Sequence, residues 1–293
     1  TPVCRDALAT FCEEHAHWLD DYALFMVLDE RHGGPWSLWP EPLARRDAAA
    51  LDAVREQSVH ALGFWRFVQW RFWVQWQALR GYARERGVLM VGDAPIFVAH
   101  HSADVWAHAG EFLLDEQMEP YVVAGVPPDY FSATGQRWGN PLYNWEAMAH
   151  QGYRWWKDRL AHQFKQVDVV RLDHFRGFEA HWEIPANGPT AVAGQWQPGP
   201  GLPFFKAIEE ALGQLPIIAE DLGMITPEVT ALREACGFPG MRILQFAFGS
   251  GPANPYLPHN LERQCVAYTG THDNETTVGW WAKASDTERQ AAR

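Results

Sequence analysis

Short apolar runs alternate along this chain with longer segments of helical periodicity. The strands predicted from these runs cover residues 88–91, 167–172, 216–219, 241–246 and 265–268. The helices predicted between or before them cover residues 61–86, 153–164, 205–212 and 227–235. Because strands separated by helices pair in parallel through crossover connections, this order predicts an α/β fold with a sheet buried on both faces.

Two architectures contain such a sheet, the doubly wound fold and the (β/α)8 or TIM barrel. No predicted strand is followed by G-x-G-x-x-G or G-x-x-x-x-G-K-[ST], so the nucleotide-binding doubly wound folds lose support. We therefore predict one partial catalytic barrel domain over residues 1–293. Because a barrel that lacks strands exposes two sheet edges, we expect this segment alone not to be an active enzyme.

Two long segments interrupt the alternation of helices and strands. Residues 124–145 and 183–202 are rich in proline, glycine and aromatic residues. Loops of this length in a compact domain are usually functional or disordered, and the aromatic content disfavours disorder. We therefore predict loop insertions in the barrel at about 99–150 and 180–204.

The charge balance and the cysteines limit the partners and the compartment. Lys and Arg number 24 against 36 Asp and Glu, a net charge of −12 without any basic run, which argues against nucleic acid and anionic membranes. No apolar stretch reaches the roughly 18 residues of a membrane span. Cys4, Cys12, Cys236 and Cys265 form no C-x-x-C pair, and no apolar signal segment opens the chain, so a cytoplasmic location is expected.

Tryptophan is abundant, with 16 residues. The indole ring combines a flat apolar face with one N–H donor, which suits either a protein core or a surface that binds sugars. Sugars have this mixed apolar and hydroxyl character, and the net charge of −12 suits a neutral or cationic substrate better than an acidic one.

Four of the five predicted strands run into acidic residues. Asp93, Asp173, the pair Glu220–Asp221 and Asp273 follow them. Each acid singly could cap a helix. Because barrel active sites are built at the carboxyl ends of the strands, we expect these acids to lie on one rim.

Two carboxyl groups that flank a bond are the arrangement used in glycoside chemistry. Asp173 is the predicted nucleophile, because Arg171 lies on the same face of its strand and would keep it ionised. Glu220 is the predicted acid, because the apolar residues 217–219 before it would raise its pKa. Asp221 is expected to be a helix cap. Asp273, with His272 beside it, supplies a third acid.

Two other chemistries are less favoured by the sequence. His100, His101, Asp104 and His108 lie close together but lack a pairing such as H-E-x-x-H, so a metal site has little support. Ser102 lies outside any nucleophile-elbow pattern, which disfavours Ser-His-Asp catalysis.

Over nearly its whole length the sequence resembles the 4-α-glucanotransferases, also called amylomaltases or disproportionating enzymes, of glycoside hydrolase family 77 in the α-amylase clan. The resemblance rests on seven motifs in order: GDAPIFV at 92–98, SADVW at 102–106, VAGVPPDYFSATGQRWGNPLY at 123–143, VVRLDHFRGF at 169–178, IIAEDLG at 217–223, PGMRILQFAF at 239–248 and TGTHDNET at 269–276. One departure is the segment 99–102, where an acidic residue is expected before the serine.

The resemblance implies roles for ten residues. Asp173 would be the nucleophile, Glu220 the general acid/base and Asp273 the carboxylate that fixes sugar hydroxyls at the transition state. The implied substrate contacts are Arg171, His272, Asp93, Asp129, Trp138, Asn140 and Phe246.

The resemblance also implies the reaction and its partners. An α-1,4 bond of a maltooligosaccharide, or of a glucan from starch or glycogen, would be cut, and the covalent glycosyl-enzyme would pass its sugar to the 4-hydroxyl of another sugar or of glucose. No metal or organic cofactor is implied, and nothing indicates the oligomeric state. The family's first barrel strands and its last strand have no counterpart in this sequence.

Two other functions remain open at this stage. An α-amylase-type retaining hydrolase would share the three carboxylates and use water as acceptor, although the motif at 123–143 argues against it. The other hypothesis is a segment that binds glucans without catalysing a reaction, and the intact Asp173 and Glu220 argue against it.

Overall fold

The computed structural model describes residues 2–129 and 132–293. The described α-helices are α1 (Pro2–Glu14), α2 (Ala16–His32), α3 (Glu41–Ala44), α4 (Ala48–Gln57), α5 (Val59–Arg84), α6 (Ala103–Ala107), α7 (Trp145–His150), α8 (Arg154–Gln166), α9 (Gly201–Leu212), α10 (Pro227–Ala235), α11 (Thr277–Lys283) and α12 (Asp286–Ala291). The described strands are β1 (Val91–Ala94), β2 (Val122–Val126), β3 (Gln136–Pro141), β4 (Val169–Leu172), β5 (Ala180–Pro185), β6 (Gln195–Pro198), β7 (Ile217–Ala219), β8 (Gly240–Ile243) and β9 (Cys265–Tyr268). None of the helices described in these two ranges has the length and apolar character needed to cross a bilayer.

The chain divides into two compact units. The described residues of the first unit fall within 1–90, 97–167 and 181–197, and the second unit comprises 91–96, 168–180 and 198–293. The insertion predicted at about 99–150 belongs to the first unit, as does most of the insertion predicted at about 180–204.

The second unit holds the parallel strands. β4 pairs in parallel with both β1 and β7, so the order is β1-β4-β7, and β8 pairs in parallel with β9. The Ala219 N–H at the end of β7 donates to the Pro239 carbonyl at 2.9 Å, immediately before β8. Ile218, Met241 and Ile243 form the apolar core around these strands. The predicted α/β class is confirmed, with its parallel strands in chain order.

Four of the five predicted strands differ from the observed strands at one end or both, and two of them differ by three residues. The first strand begins at Val91, because Val88 and Leu89 are exposed and lie outside any sheet. β8 ends at Ile243, and residues 244–246 form a 3-10 helix instead of continuing the strand. Both errors arise because apolar residues alone do not mark where sheet pairing starts or stops.

The first unit contains a sheet that the sequence did not predict. Its described strands have the order β3-β2-β5-β6, with β2 antiparallel to both β3 and β5. The predictions that 124–145 and 183–202 are loops are therefore wrong where these strands lie. A Cβ on Gly125 would lie 2.2 Å from the Gln136 carbonyl oxygen, so the close approach of β2 and β3 requires glycine there.

Candidate active site

Asp173 follows β4 directly and is ion-paired with Arg171. The Arg171 Nη2 atom lies 2.8 Å from Asp173 Oδ1, which confirms that the two side chains share one face. Burial raises the pKa of Asp173, and the charges of Asp93 and Asp273 raise it further, whereas Arg171 lowers it. The predicted effect of Arg171 on Asp173 is therefore confirmed in direction, but burial acts the other way and is the stronger influence on this pKa.

Arg171 also connects Asp173 to the neighbouring strand. Its Nη1 donates to Asp93 Oδ1 at 2.7 Å, and the Arg171 side chain is only 12% exposed. Asp93 and Arg171 are paired residues in the β1–β4 register. One guanidinium thus bridges two carboxylates, with one contact to Asp93 and one to Asp173, and these two contacts fix its orientation.

Glu220 follows β7 and is held by backbone amides. Its Oε2 accepts from the His174 N–H at 2.8 Å and its Oε1 accepts from the Leu222 N–H at 2.9 Å. Burial raises the pKa of Glu220 to about 7 and Asp173 adds to that rise, while the two amides and Arg171 lower it. The predicted rise in the pKa of Glu220 is therefore confirmed, with burial as its largest cause.

His174 places Glu220 beside Asp173. It has a φ of 49°, a left-handed conformation that non-glycine residues seldom adopt. This turn directs the His174 N–H toward Glu220, so the residue next to the predicted nucleophile holds the predicted acid. Sequence reasoning missed this contact, because nothing in the motif marks the unusual backbone angle.

Asp221 is not the helix cap that was predicted. Thr226 caps α10, with its side chain accepting from the Val229 N–H. Asp221 is buried, and its Oδ1 accepts instead from the Met241 N–H at 2.7 Å. It also contacts Arg242 at 3.2 and 3.3 Å.

His272 and Asp273 lie after β9 and face solvent. The Asp273 side chain is 75% exposed, and the two side chains are 3.4 Å apart from His272 Nε2 to Asp273 Oδ2. Asp273 is close enough to Asp173 to raise its pKa. Phe246 lies in the 3-10 helix after β8, where its ring meets Tyr256 edge-on at 5.7 Å.

The other three predicted substrate contacts belong to the first unit. Asp129 accepts from the Ser132 N–H at 2.8 Å through its carboxylate. The Trp138 ring on β3 is 39% exposed. Asn140, also on β3, donates from Nδ2 to the Val98 carbonyl at 3.0 Å. Residues 130 and 131, between Asp129 and β3, lie outside the described residues.

Two of the three histidines weighed as metal ligands have protein partners. His100 Nε2 lies 2.8 Å from the Met118 carbonyl, and His101 Nε2 lies 2.8 Å from Asp29 Oδ1. Ser102, the other alternative, caps α6 by accepting from the Val105 N–H. Over residues 2–129 and 132–293, no three His, Cys, Asp or Glu side chains are grouped as a metal would require.

Comparisons with known proteins agree on one family. A family profile described as 4-alpha-glucanotransferase matches residues 3–293. The 4-alpha-glucanotransferase of Thermus thermophilus is 53% identical over 292 residues, which are 99% of this chain and 58% of that protein. The 4-alpha-glucanotransferase of Synechocystis sp. is 49% identical over 286 residues, which are 96% of this chain and 57% of that protein.

A solved structure gives the same result. The amylomaltase from Streptococcus agalactiae, in complex with acarbose, superposes with a TM-score of 0.95 at 38% identity, over 100% of this chain and 59% of that one. The parallel strands of the second unit carry Asp93 within β1 and are followed by acids after β4, β7 and β9. They are those of an α/β protein of the TIM-barrel clan. The chain belongs to the 4-alpha-glucanotransferase family. It spans somewhat less than three fifths of the length of these relatives.

Proposed function

We propose that this chain carries the catalytic carboxylates of a retaining 4-α-glucanotransferase. In this proposal Asp173 is the nucleophile, Glu220 is the general acid/base, and Asp273 binds sugar hydroxyls at the transition state. The observation that carries the proposal is the contrast between two neighbouring carboxyl groups. Asp173 pairs with a guanidinium, whereas Glu220 has a pKa raised to about 7.

The contrast matches the two steps of a retaining transfer. In the first step a carboxylate oxygen of Asp173 attacks the anomeric carbon, the bond from that carbon to the glycosidic oxygen breaks, and the Glu220 carboxyl gives its proton to that oxygen. In the second step ionised Glu220 takes the proton of an acceptor 4-hydroxyl, whose oxygen displaces Asp173 from the anomeric carbon. A pKa near 7 suits Glu220 to both roles, because it can hold or release a proton close to neutral pH.

The remaining predicted residues would bind the sugar. Arg171 would orient Asp93 and Asp173, and the exposed pair His272 and Asp273 would reach sugar hydroxyls. Asp129, Trp138, Asn140 and Phe246 are proposed as further substrate contacts on the strength of the family motifs alone. No proposed step uses a metal or an organic cofactor.

The proposed substrates follow from the same assignment. The donor would be a maltooligosaccharide or a starch- or glycogen-derived α-1,4-glucan, and the acceptor another such chain or glucose. A reducing, cytoplasmic location is proposed, since the described residues contain no disulfide.

The test is incubation of the product of the complete reading frame with maltotriose, followed by chromatography of the sugars. Transfer yields glucose together with maltopentaose and longer chains. An α-amylase-type hydrolase would release glucose and maltose without longer products, and a binding segment would leave maltotriose intact. Asp173→Asn is the matched control, because it removes the proposed nucleophile with little change in shape.

A further inference from the structure

Asp221, next to the proposed acid, is the centre of a buried ionic network. Its carboxylate accepts from the Met241 N–H at 2.7 Å and from Arg242 Nη1 at 3.3 and 3.2 Å. Oδ2 also lies 3.3 Å from the Nε of Arg233, an ion pair without hydrogen-bond geometry. The Asp221 side chain is 4% exposed, and an unpaired charge at such a depth would be costly.

Gly240 on β8 provides the space that the Asp221 carboxylate occupies. A Cβ on Gly240 would lie 2.4 Å from Asp221 Oδ2 and 2.8 Å from Oδ1. The carboxylate therefore rests directly against the bare Cα of Gly240, and no other residue fits there without moving Asp221.

The two arginines are themselves anchored. Arg233 on α10 is 3% exposed and donates to the Phe238 carbonyl at 3.1 Å, and Arg242 donates to the Met241 carbonyl at 2.7 Å. Both guanidinium groups also meet Glu262, at 3.4 and 3.7 Å, but that carboxylate is 55% exposed. Of the two acids in this network, Asp221 is buried and adjoins the proposed catalytic Glu220, whereas Glu262 is exposed and does not adjoin it.

The segment 220–222 is held from two sides. The Glu220 carboxylate is bound by the N–H groups of His174 and Leu222, while the Asp221 carboxylate is bound by the N–H of Met241. These contacts attach one short segment to the turn after β4 and to β8. Movement of Asp221 would therefore move the Glu220 carboxyl relative to Asp173.

We propose that Asp221 is a positioning residue for the Glu220 carboxyl, which it keeps in place by anchoring the segment 220–222 to β8 and to the two arginines. This inference rests on the proposed function, in which Glu220 protonates the leaving group. It assigns to Asp221 an effect on proton donation beyond a general contribution to folding.

The experiment compares Asp221→Asn with Glu262→Gln in the product of the complete reading frame. Both variants remove one carboxylate from the same pair of arginines, but only Asp221 adjoins Glu220. Each is assayed on maltotriose, whose leaving sugar needs a proton, and on α-glucosyl fluoride, whose fluoride does not. We expect Asp221→Asn to lower kcat on maltotriose by about 10²-fold, as misplacement of a catalytic group does. The rate of the initial burst of fluoride release, which reports the first step alone, is expected to fall much less. Glu262→Gln is expected to stay within about twofold of the wild type on both, as an exposed ion pair contributes little.

The pH profile gives a second readout that a purely structural role would not move. A displaced Glu220 becomes more hydrated, so its pKa falls and the alkaline limb of kcat/KM begins at lower pH. Equal losses of activity on maltotriose and on α-glucosyl fluoride, with the alkaline limb of kcat/KM at its wild-type pH, would overturn the inference. If Asp221→Asn does not fold, Gly240→Ala displaces the same carboxylate without changing any charge, and it must show the same substrate selectivity. Wild-type protein without maltotriose transfer would instead refute the proposed function itself.

Discussion

The carboxyl ends of β4 and β7 are neighbours in one parallel sheet, yet they place their acidic residues in different surroundings. Asp173 after β4 has a guanidinium 2.8 Å away, whereas Glu220 after β7 accepts its hydrogen bonds from backbone amides. Burial raises the pKa of both, but Arg171 acts much more directly on Asp173. The difference teaches that surroundings, more than residue type, would divide the proposed roles of nucleophile and acid between two carboxyl groups.

The largest expected effect is that of Asp173→Asn. An amide cannot form the glycosyl ester, so transfer from maltotriose is expected to fall by about 10⁴-fold or more. Calorimetry is expected to show that maltooligosaccharides still bind. A loss of less than tenfold, in protein free of wild-type contamination, would remove Asp173 from the nucleophile role.

Glu220→Gln tests the other side of the comparison. Without a proton donor, cleavage of maltotriose is expected to fall by about 10³-fold, while α-glucosyl fluoride still forms the covalent intermediate. The wild-type kcat/KM is expected to fall as the pH rises above about 7, because Glu220 then loses the proton that it must donate. The variant is expected to lack this limb. Equal damage to the first step with both substrates would count against Glu220 as the acid.

Arg171→Gln is expected to have an intermediate effect. Arg171 lowers the pKa of Asp173, so its removal raises that pKa and moves the acidic limb of kcat/KM to higher pH. We expect kcat at neutral pH to fall by about 10²-fold, since a fixed charge beside the reacting groups is lost. Arg55→Gln, which breaks an exposed ion pair on α4, is the matched control and is expected to be nearly neutral. An unmoved acidic limb would show that Arg171 does not control the ionisation of Asp173.

The smallest expected effect is that of Trp138→Ala. In this proposal Asp173 and Glu220 do not themselves select a sugar over water as the acceptor, and the exposed Trp138 ring helps to exclude water. Its loss is expected to raise the ratio of hydrolysis to transfer by a few fold. Trp196→Ala on β6 removes a similarly exposed indole and serves as the control. An unchanged product ratio would limit Trp138 to binding or packing.

Sequence patterns predicted the parallel strands well, because buried strands joined by helices leave a strong apolar signal. The same patterns predicted that Asp173 and Glu220 follow neighbouring strands and that Arg171 shares the face of Asp173. They missed β2, β3, β5 and β6. In β3 and β6, proline, glycine and exposed polar residues hide the alternation of the strand.

Contacts between distant residues explain the other errors. The ion-pair partners of Asp221 lie 12 and 21 residues further along the chain, at Arg233 and Arg242. The neighbouring sequence does not reveal them, so it predicted a helix cap instead. The net pKa of Asp173 depends on burial as well as on Arg171, and burial follows from packing that no short motif encodes.

Trapping the covalent intermediate tests the division of roles most directly. Glu220→Gln protein, made from the complete reading frame, is incubated with α-glucosyl fluoride, quenched in acid, digested and analysed by tandem mass spectrometry. A glucosyl ester is expected to accumulate on Asp173, because Glu220 is no longer present to activate the acceptor. Release of fluoride with the sugar attached to Asp93, Asp273 or another residue would contradict it.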